Sequence, residues 1–363
     1  MIIKELSLIQ YRNYLNENFS FSPGLNVIIG DNAQGKTNLI ESIYLLSRGY
    51  SHRGSAVSEL IHFDKPDFSV KATILKDQVS HLLSARSQNG KKQILLNGKT
   101  ADREKTGSVL TTILFEPGDL KIVKEGPDKR RRFLNEEISG FNPQYHYLIK
   151  NYDKVLMQRN QLLKNIQFNK SLLTTLSIWN EQLIDLGIKI IRQRVAYLHR
   201  LNREAGSLYQ ILCQGKEQLT LYYHNNIIDS LDELNQLKEK FEQKLKNFED
   251  QEIAKGATIF GPHVDDMLIM IDQNDARRFG SQGQQRSAAI ALKLSQIKIV
   301  QSQTGSLPVV LLDDIFSELD EKRRNNILQL IKDNQSFITG TEDISGSEGM
   351  TKKVIIIHQG KEL

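Results

Sequence analysis

The chain has 363 residues, 39% of them apolar, a net charge of +5 and a lone cysteine, Cys213; it is long enough for two domains with a large core, and its positive balance suits a polyanion without choosing one. One cysteine excludes an intrachain disulfide framework and a CxxC-type metal site, as expected in a reducing, cytoplasmic setting. The opening MIIKELSL lacks the basic-then-apolar layout of a signal peptide, and no apolar run approaches the about 20 residues that span a bilayer, so no membrane anchor is expected.

The apolar run Leu25, Val27, Ile28, Ile29 predicts a strand, and Asn38 to Ser47 a helix. Between them lies Gly30-Asp31-Asn32-Ala33-Gln34-Gly35-Lys36-Thr37. That is the strand, glycine loop and helix of a phosphate-binding P-loop. Gly30 and Gly35 are expected in backbone conformations closed to other residues, so that successive N–H groups converge on the triphosphate of ATP. Lys36 adds a charge on the β- and γ-phosphates, Thr37 is a Mg²⁺ ligand, and Asn38 opens the helix beside them. Downstream, Ile94 to Leu96 followed by Asn97-Gly98 reads as a strand entering a type I′ turn. Lys129-Arg130-Arg131-Arg132 follows Pro127 and leads into Phe133-Leu134, which favours structural ion pairs for some of these arginines.

From Pro143 to Pro262 no proline intervenes. Apolar residues recur at helical spacing through Tyr145, Leu148, Tyr152, Val155, Leu162 and Ile166, through Leu172, Leu176, Trp179, Leu183, Leu186 and Ile190, and through Leu234, Leu237, Phe241, Leu245 and Phe248. These stripes suit either a helical subdomain or a short coiled-coil arm, about 38 Å for a 25-residue helix. Lys91, Lys92, Lys99, Arg103 and Lys105 near the hairpin, and Arg192, Arg194, Arg200 and Arg203 on the second helix, are spread as on a surface that tracks a nucleic-acid backbone or as on solvated faces.

Ser281-Gln282-Gly283-Gln284-Gln285 precedes a helix-compatible stretch from Arg286 to Gln301. A serine and a glycine at a helix start make a second anion-binding end. One nucleotide needs no second end from its own subunit, which predicts that Ser281, Gly283 and Gln284 serve a nucleotide held by another copy. Val309 to Leu312 then reads as a buried strand ending in Asp313 and Asp314; Asp313 is expected to complete the Mg²⁺ shell with Thr37, and Asp314 to polarise the attacking water. Lys36, Asp313 and Asp314 are the expected catalytic set. Phe337 to Thr339 and Val354 to Ile357 are further strands, separated by a Ser/Gly/Glu loop from Ile344 to Met350. Gly340 and Thr341 stand where ABC transporters place a switch histidine, which leaves γ-phosphate sensing to a threonine hydroxyl such as Thr339 or Thr341.

These motifs, in this order, resemble those of ABC-type ATPases, and their combination resembles the RecF family of bacterial recombination mediators. Leu8 to Tyr14, Pro117 to Asn135, and LLDDIFSELDEKRRNNIL at 311 to 328 carry the resemblance, which covers nearly the whole chain. Gly118, Glu125, Asn135 and Val264 depart from that pattern, where an acid, a glycine, an aspartate and an arginine are usual. The resemblance implies an α/β fold: an ABC-type ATPase head built from both chain ends, residues 1–125 and 251–363, with a mostly helical domain, 126–250, inserted. It also implies nucleotide contacts for Arg12, Asn13 and Arg53, an ATP-dependent homodimer, binding of duplex and gapped DNA without sequence preference, and partnership with RecR and RecO. The alternative is the nucleotide-binding subunit of a membrane transporter; the helical insertion, the SQGQQ sequence and the missing histidine favour the DNA clamp. Hydrolysis is expected to be slow, because Asp314 is one methylene shorter than glutamate and misplacement of that order costs about 100-fold.

Overall fold

A computed structural model describes residues 1–344 and 349–363, with the side chains of Arg103 and Glu318 left aside; the expected 344–350 loop therefore lies largely outside the described residues. The chain divides into two compact units, Met1–Asp119 with Ile211–Gly215 and Ile290–Leu363, and Leu120–Gln210 with Lys216–Ala289. The first joins both chain ends. The second takes in residues 251–289, which the sequence division groups with the second lobe.

Two sheets build the first unit. One is antiparallel, in the order Tyr14–Ser20, Ile2–Tyr11, Ser69–Lys76, Val79–Gln88, Lys91–Leu96, Lys99–Thr100. Its inner face reads as a period of two, with Val70, Ala72 and Ile74 buried and Lys71 exposed. The expected hairpin turn is present: Asn97 and Gly98 both have positive φ, 50° and 80°, as a type I′ turn requires. The other sheet runs Lys361–Glu362, Lys352–His358, Leu25–Ile29, Ser336–Gly340, Val309–Leu312, Thr112–Phe115, and is parallel except for its two-residue edge. Burial on both faces explains why its inner strands are almost continuously apolar.

The helix Lys36–Arg48 packs against both sheets and buries most of its surface. One cluster unites Leu39, Ile40, Ile43 and Leu46 with Leu8 and Val70 of the antiparallel sheet and Ile28, Leu311 and Phe337 of the parallel one. A helix closed in on two sides has to be apolar around most of its circumference, which accounts for the run LIESIYLL.

The second unit combines the helices Pro127–Phe141, Pro143–Ile166, Leu237–Asn247, Glu249–Lys255 and most of Leu176–Cys213 with a three-stranded antiparallel sheet, Asn274–Asp275, Asp266–Ile271, Leu219–His224. That sheet was not read from the sequence. The helix Leu176–Cys213 has 38 residues, about 57 Å at 1.5 Å per residue, longer than the 25-residue helix anticipated. Its start trims the stripe, because Leu172 belongs to a preceding 3₁₀ turn. Gly187 lies in mid-helix, where a Cβ would come within 2.9 Å of the Phe241 ring; glycine there lets the third stripe pack closely.

Several arginines of this unit are structural. Arg130 makes a two-pronged pair with Asp266, at 2.7 and 2.8 Å, and Arg131 donates to the Asp265 carbonyl and to Asp128; Arg132 pairs with Glu136 in solvent. Arg194, grouped from sequence with surface cations, is buried. It donates to the Pro262 carbonyl, the Tyr145 hydroxyl and Asn135 Oδ1. Asn135, one of the departures from the family pattern, thus accepts from both Arg194 and Tyr145.

Candidate nucleotide site

The P-loop follows the strand Leu25–Ile29, which is paired on both sides, and runs into the helix Lys36–Arg48. Its two outer glycines are needed for different reasons. Gly35 has φ 122° and a Cβ on it would lie 2.6 Å from Asn13 Nδ2. Gly30 lacks a positive φ, contrary to the sequence expectation; a Cβ there would lie 2.4 Å from the Ile357 carbonyl oxygen of the adjacent strand. Space, not dihedral freedom, selects that glycine. Ala33 takes the left-handed conformation instead, with φ 65°.

Asn13 Nδ2 donates to the Gln34 carbonyl at 2.8 Å, Tyr14 Oη to the Gly35 carbonyl at 2.9 Å, and Asn38 Nδ2 to Asn13 Oδ1 at 2.8 Å. From the C-terminal end, the Gln359 N–H donates to Gln34 Oε1 and the Gly360 N–H to the Gln34 carbonyl. Asp31, Asn32 and Ala33 are left exposed at the tip. Lys36 donates to the carbonyls of Gly30 and Asp31 at 2.5 and 2.8 Å. Burial lowers its pKa, against the pull of Asp314, Asp313 and Asp31.

The acidic strand Val309–Leu312 lies one strand removed, with Ser336–Gly340 between. Asp313 is buried, and its Oδ1 accepts from Thr37 Oγ1 at 3.1 Å and Thr339 Oγ1 at 2.8 Å. Burial raises its pKa while both hydroxyls oppose the shift. The expected metal pair, Thr37 and Asp313, is therefore brought together. Hydroxyl and carboxylate oxygens suit Mg²⁺, which binds through one or two protein carboxylates plus phosphates and water. Asp314 is exposed and has φ 52°, a conformation costly for a non-glycine residue; its N–H donates to Thr339 Oγ1 at 2.8 Å. Thr339, whose hydroxyl joins both acids, was weighed from sequence as a phosphate sensor; Thr341, the other candidate, is exposed.

Arg12, for which the resemblance implies a nucleotide contact, is paired with a carboxylate. Its Nε and Nη2 form a two-pronged pair with the fully buried Glu41, at 2.8 and 2.7 Å, and it also reaches the Glu59 carbonyl and Ser55 Oγ. Burial pushes the Glu41 carboxyl up, but Arg12 and Ser51 hold it below its ordinary value. Arg53 is freer, donating to Asn38 Oδ1 at 3.2 Å. Sequence reading missed a further carboxylate: Glu116 follows Phe115, whose carbonyl accepts the Asp313 N–H. Glu116 lies 3.3 Å from the buried His52 ring. Burial raises the Glu116 carboxyl to about 7 and lowers His52 to about 4. The available signal was an acid directly after the apolar run Ile113, Leu114, Phe115.

Ser281, Gly283 and Gln284 belong to the second unit. Ser281 Oγ accepts from the Gln284 N–H at 3.2 Å and Gln284 Oε1 from the Ser281 N–H at 2.7 Å, a reciprocal capping box at the start of the helix Gln282–Thr304. Gln284 Nε2 donates to Glu217, so Gln284 fixes the cap. Ser281 and Gly283 are exposed.

A P-loop strand, an acid-ended strand one place away, and an antiparallel sheet across the loop's helix define an ABC-type ATPase head. The family model described as RecF/RecN/SMC N terminal domain matches residues 2–360. The chain is 39% identical to the DNA replication and repair protein RecF of Lachnoclostridium phytofermentans, covering 99% of both chains, and 39% identical to that of Halothermothrix orenii, covering 98% and 96%. A solved structure of the recombination mediator protein RecF with ATP superposes with TM-score 0.91 at 35% identity, covering 100% of this chain and 97% of the other. An Smc head bound to a winged-helix domain of ScpA shares the fold, at TM-score 0.59 and 16% identity over 100% and 96%. The chain belongs to the RecF family. Among the described residues no helix is long and apolar enough to cross a membrane.

Proposed function

We propose that this chain is an ATP-switched DNA-binding protein of replication and repair, and that ATP joins two copies into a clamp on duplex DNA beside single-strand gaps. The observation that carries this reading is the contact of Thr37 with Asp313 beside Lys36, on two segments that only the folded chain brings together. Its full-length relatives, named DNA replication and repair proteins, support it. By family membership the clamp works with RecO and RecR in loading recombinase.

Lys36 has two carbonyl partners that it can exchange for phosphate oxygens. Thr37 and Asp313 would hold Mg²⁺, which neutralises charge on the phosphates. Thr339 fixes the Asp313 carboxylate, and its bond to the Asp314 N–H fixes the turn from which Asp314 would polarise water. Gly283 offers a first-turn N–H, and Ser281 its hydroxyl, to the nucleotide of a second copy. The sandwich predicts that Asp314→Asn binds ATP yet stays dimeric, because hydrolysis is the release step.

The test is DNA binding to gapped, duplex and single-stranded oligonucleotides with ATP, ADP or no nucleotide, across a salt series. ATP should raise affinity for gapped duplex and steepen the salt dependence, since log K falls by about 0.9 per phosphate contact for each tenfold rise in salt. Lys36→Ala should show weak, shallow binding throughout. Equal slopes for both proteins with every nucleotide would refute the clamp.

A further inference from the structure

Phe279 is 72% exposed, two residues before Ser281. It ends the short helix Ala276–Phe279, whose Asp275 accepts from the backbone N–H groups of Arg277 and Arg278. Gly280 closes that turn: its N–H donates to the Ala276 carbonyl, and a Cβ on it would lie 2.5 Å from the same oxygen. The ring is therefore mounted on a defined turn. Arg277, Arg278 and Phe279 are exposed, as are Ser281, Gln282 and Gly283, with Gly280 half-buried between the two runs.

Chain geometry ties the ring to whatever Ser281 touches. Consecutive Cα atoms are about 3.8 Å apart, so the Phe279 and Ser281 Cα atoms are no more than about 7.6 Å apart. A docking that brings Ser281 and Gly283 to the triphosphate of a second copy also brings the phenyl ring against that copy's surface. The flanking Arg277 and Arg278 carry the charge that a bound polyanion attracts. Arg278 reaches Asp275 at 4.0 Å with 75% of its side chain exposed, a pair too weak to hold it back.

We propose that Phe279 is an apolar anchor of the ATP-dependent contact between two copies of this chain, with Arg277 and Arg278 facing the nucleotide that the other copy holds. The inference rests on the two-copy sandwich proposed above. A two-fold contact repeats each residue, so a single exposed aromatic is buried twice. Aromatic residues at the centre of interfaces dominate their affinity.

Sedimentation of the full chain with ATP tests it, alongside ATP affinity measured on dilute monomer. Phe279→Ala should weaken dimerisation roughly 100-fold, as two rings each lose about 1.5 kcal/mol of burial, with monomer ATP affinity unchanged. Phe279→Leu should retain most of the dimer. Ser281→Arg is the control for the sandwich itself, because a bulky cation replaces the cap. If Ser281→Arg stays monomeric while Phe279→Ala dimerises like the parent, the anchor is refuted and the sandwich stands. If both dimerise like the parent, the sandwich falls and the anchor with it. A loss of ATP affinity in monomeric Phe279→Ala would assign the ring to its own nucleotide pocket and also refute the anchor.

Discussion

Lys36 in the first unit rests on two backbone carbonyls, whereas Arg159 in the second is closed in by Glu252, Asn180 and Thr258. Both Arg159 and Glu252 are fully buried, and the other Glu252 oxygen accepts the Ile259 N–H. A cation on neutral acceptors can trade them for phosphate at little cost. A cation saturated by a buried carboxylate cannot leave without stranding the opposite charge. Partner type therefore separates cations that await a ligand from cations that hold the fold. By this criterion Arg12, paired with Glu41, belongs with Arg159, and Arg53, on a neutral amide, belongs with Lys36.

The sharpest way to break that division is to remove one cation of each kind. Arg159→Met should destabilise by about 3–5 kcal/mol in urea unfolding, the cost of leaving a buried charge unpaired. Lys36→Met should stay within about 1 kcal/mol of the parent while losing ATP binding. Comparable destabilisation by the two would erase the distinction. Next, Thr339→Val strips one hydroxyl from Asp313 and the acceptor from the Asp314 N–H, so it should cost about 1–3 kcal/mol, against less than about 0.5 for Thr341→Val at its exposed position.

The smallest effect is a pH dependence. Glu116 has its folded pKa raised to about 7, so its protonated form is favoured by folding, and the advantage is lost as pH rises through that value. His52 is lowered to about 4 and runs the other way, its contribution present above its ordinary pKa and lost as pH falls through 4. Glu116→Gln leaves the histidine in place and deletes only the first slope. The variant's stability relative to the parent should climb between about pH 4.5 and 7 and level off above, by about 1 kcal/mol once partial exposure is discounted. A relative stability that is flat with pH would show that the carboxyl titrates as in water.

The nucleotide site was legible in sequence where its chemistry is local. Lys36 and Thr37 sit at fixed steps from Gly30, and Asp313 ends a run of buried-strand residues, so pattern alone locates them. Glu116 was missed, and the partners of Thr339 and Arg12 were not readable, because the contacts span 64, 26 and 29 residues, and a strand neighbour is set by topology, not by spacing. The second unit shows the same limit. Its helical stripes were readable because Leu183 and Ile190 repeat at a helical period. The strands Leu219–His224 and Asp266–Ile271 pair with each other across 41 intervening residues, too far apart for a hairpin signal.

The strand before the P-loop is flanked by Ser336–Gly340 and Lys352–His358, and Gln359 and Gly360 brace the loop itself. On a ribosome, the phosphate-binding motif emerges about 300 residues before its supports. Nascent chains thus carry the motif through most of their synthesis without a cradle to shape it, since domains acquire structure as units when their parts are complete. A product truncated before Ser336, even one retaining the whole helical unit, should fail to bind ATP and should not compete with longer chains for nucleotide. Emergence of these late strands is itself the licence for a shaped phosphate-binding loop.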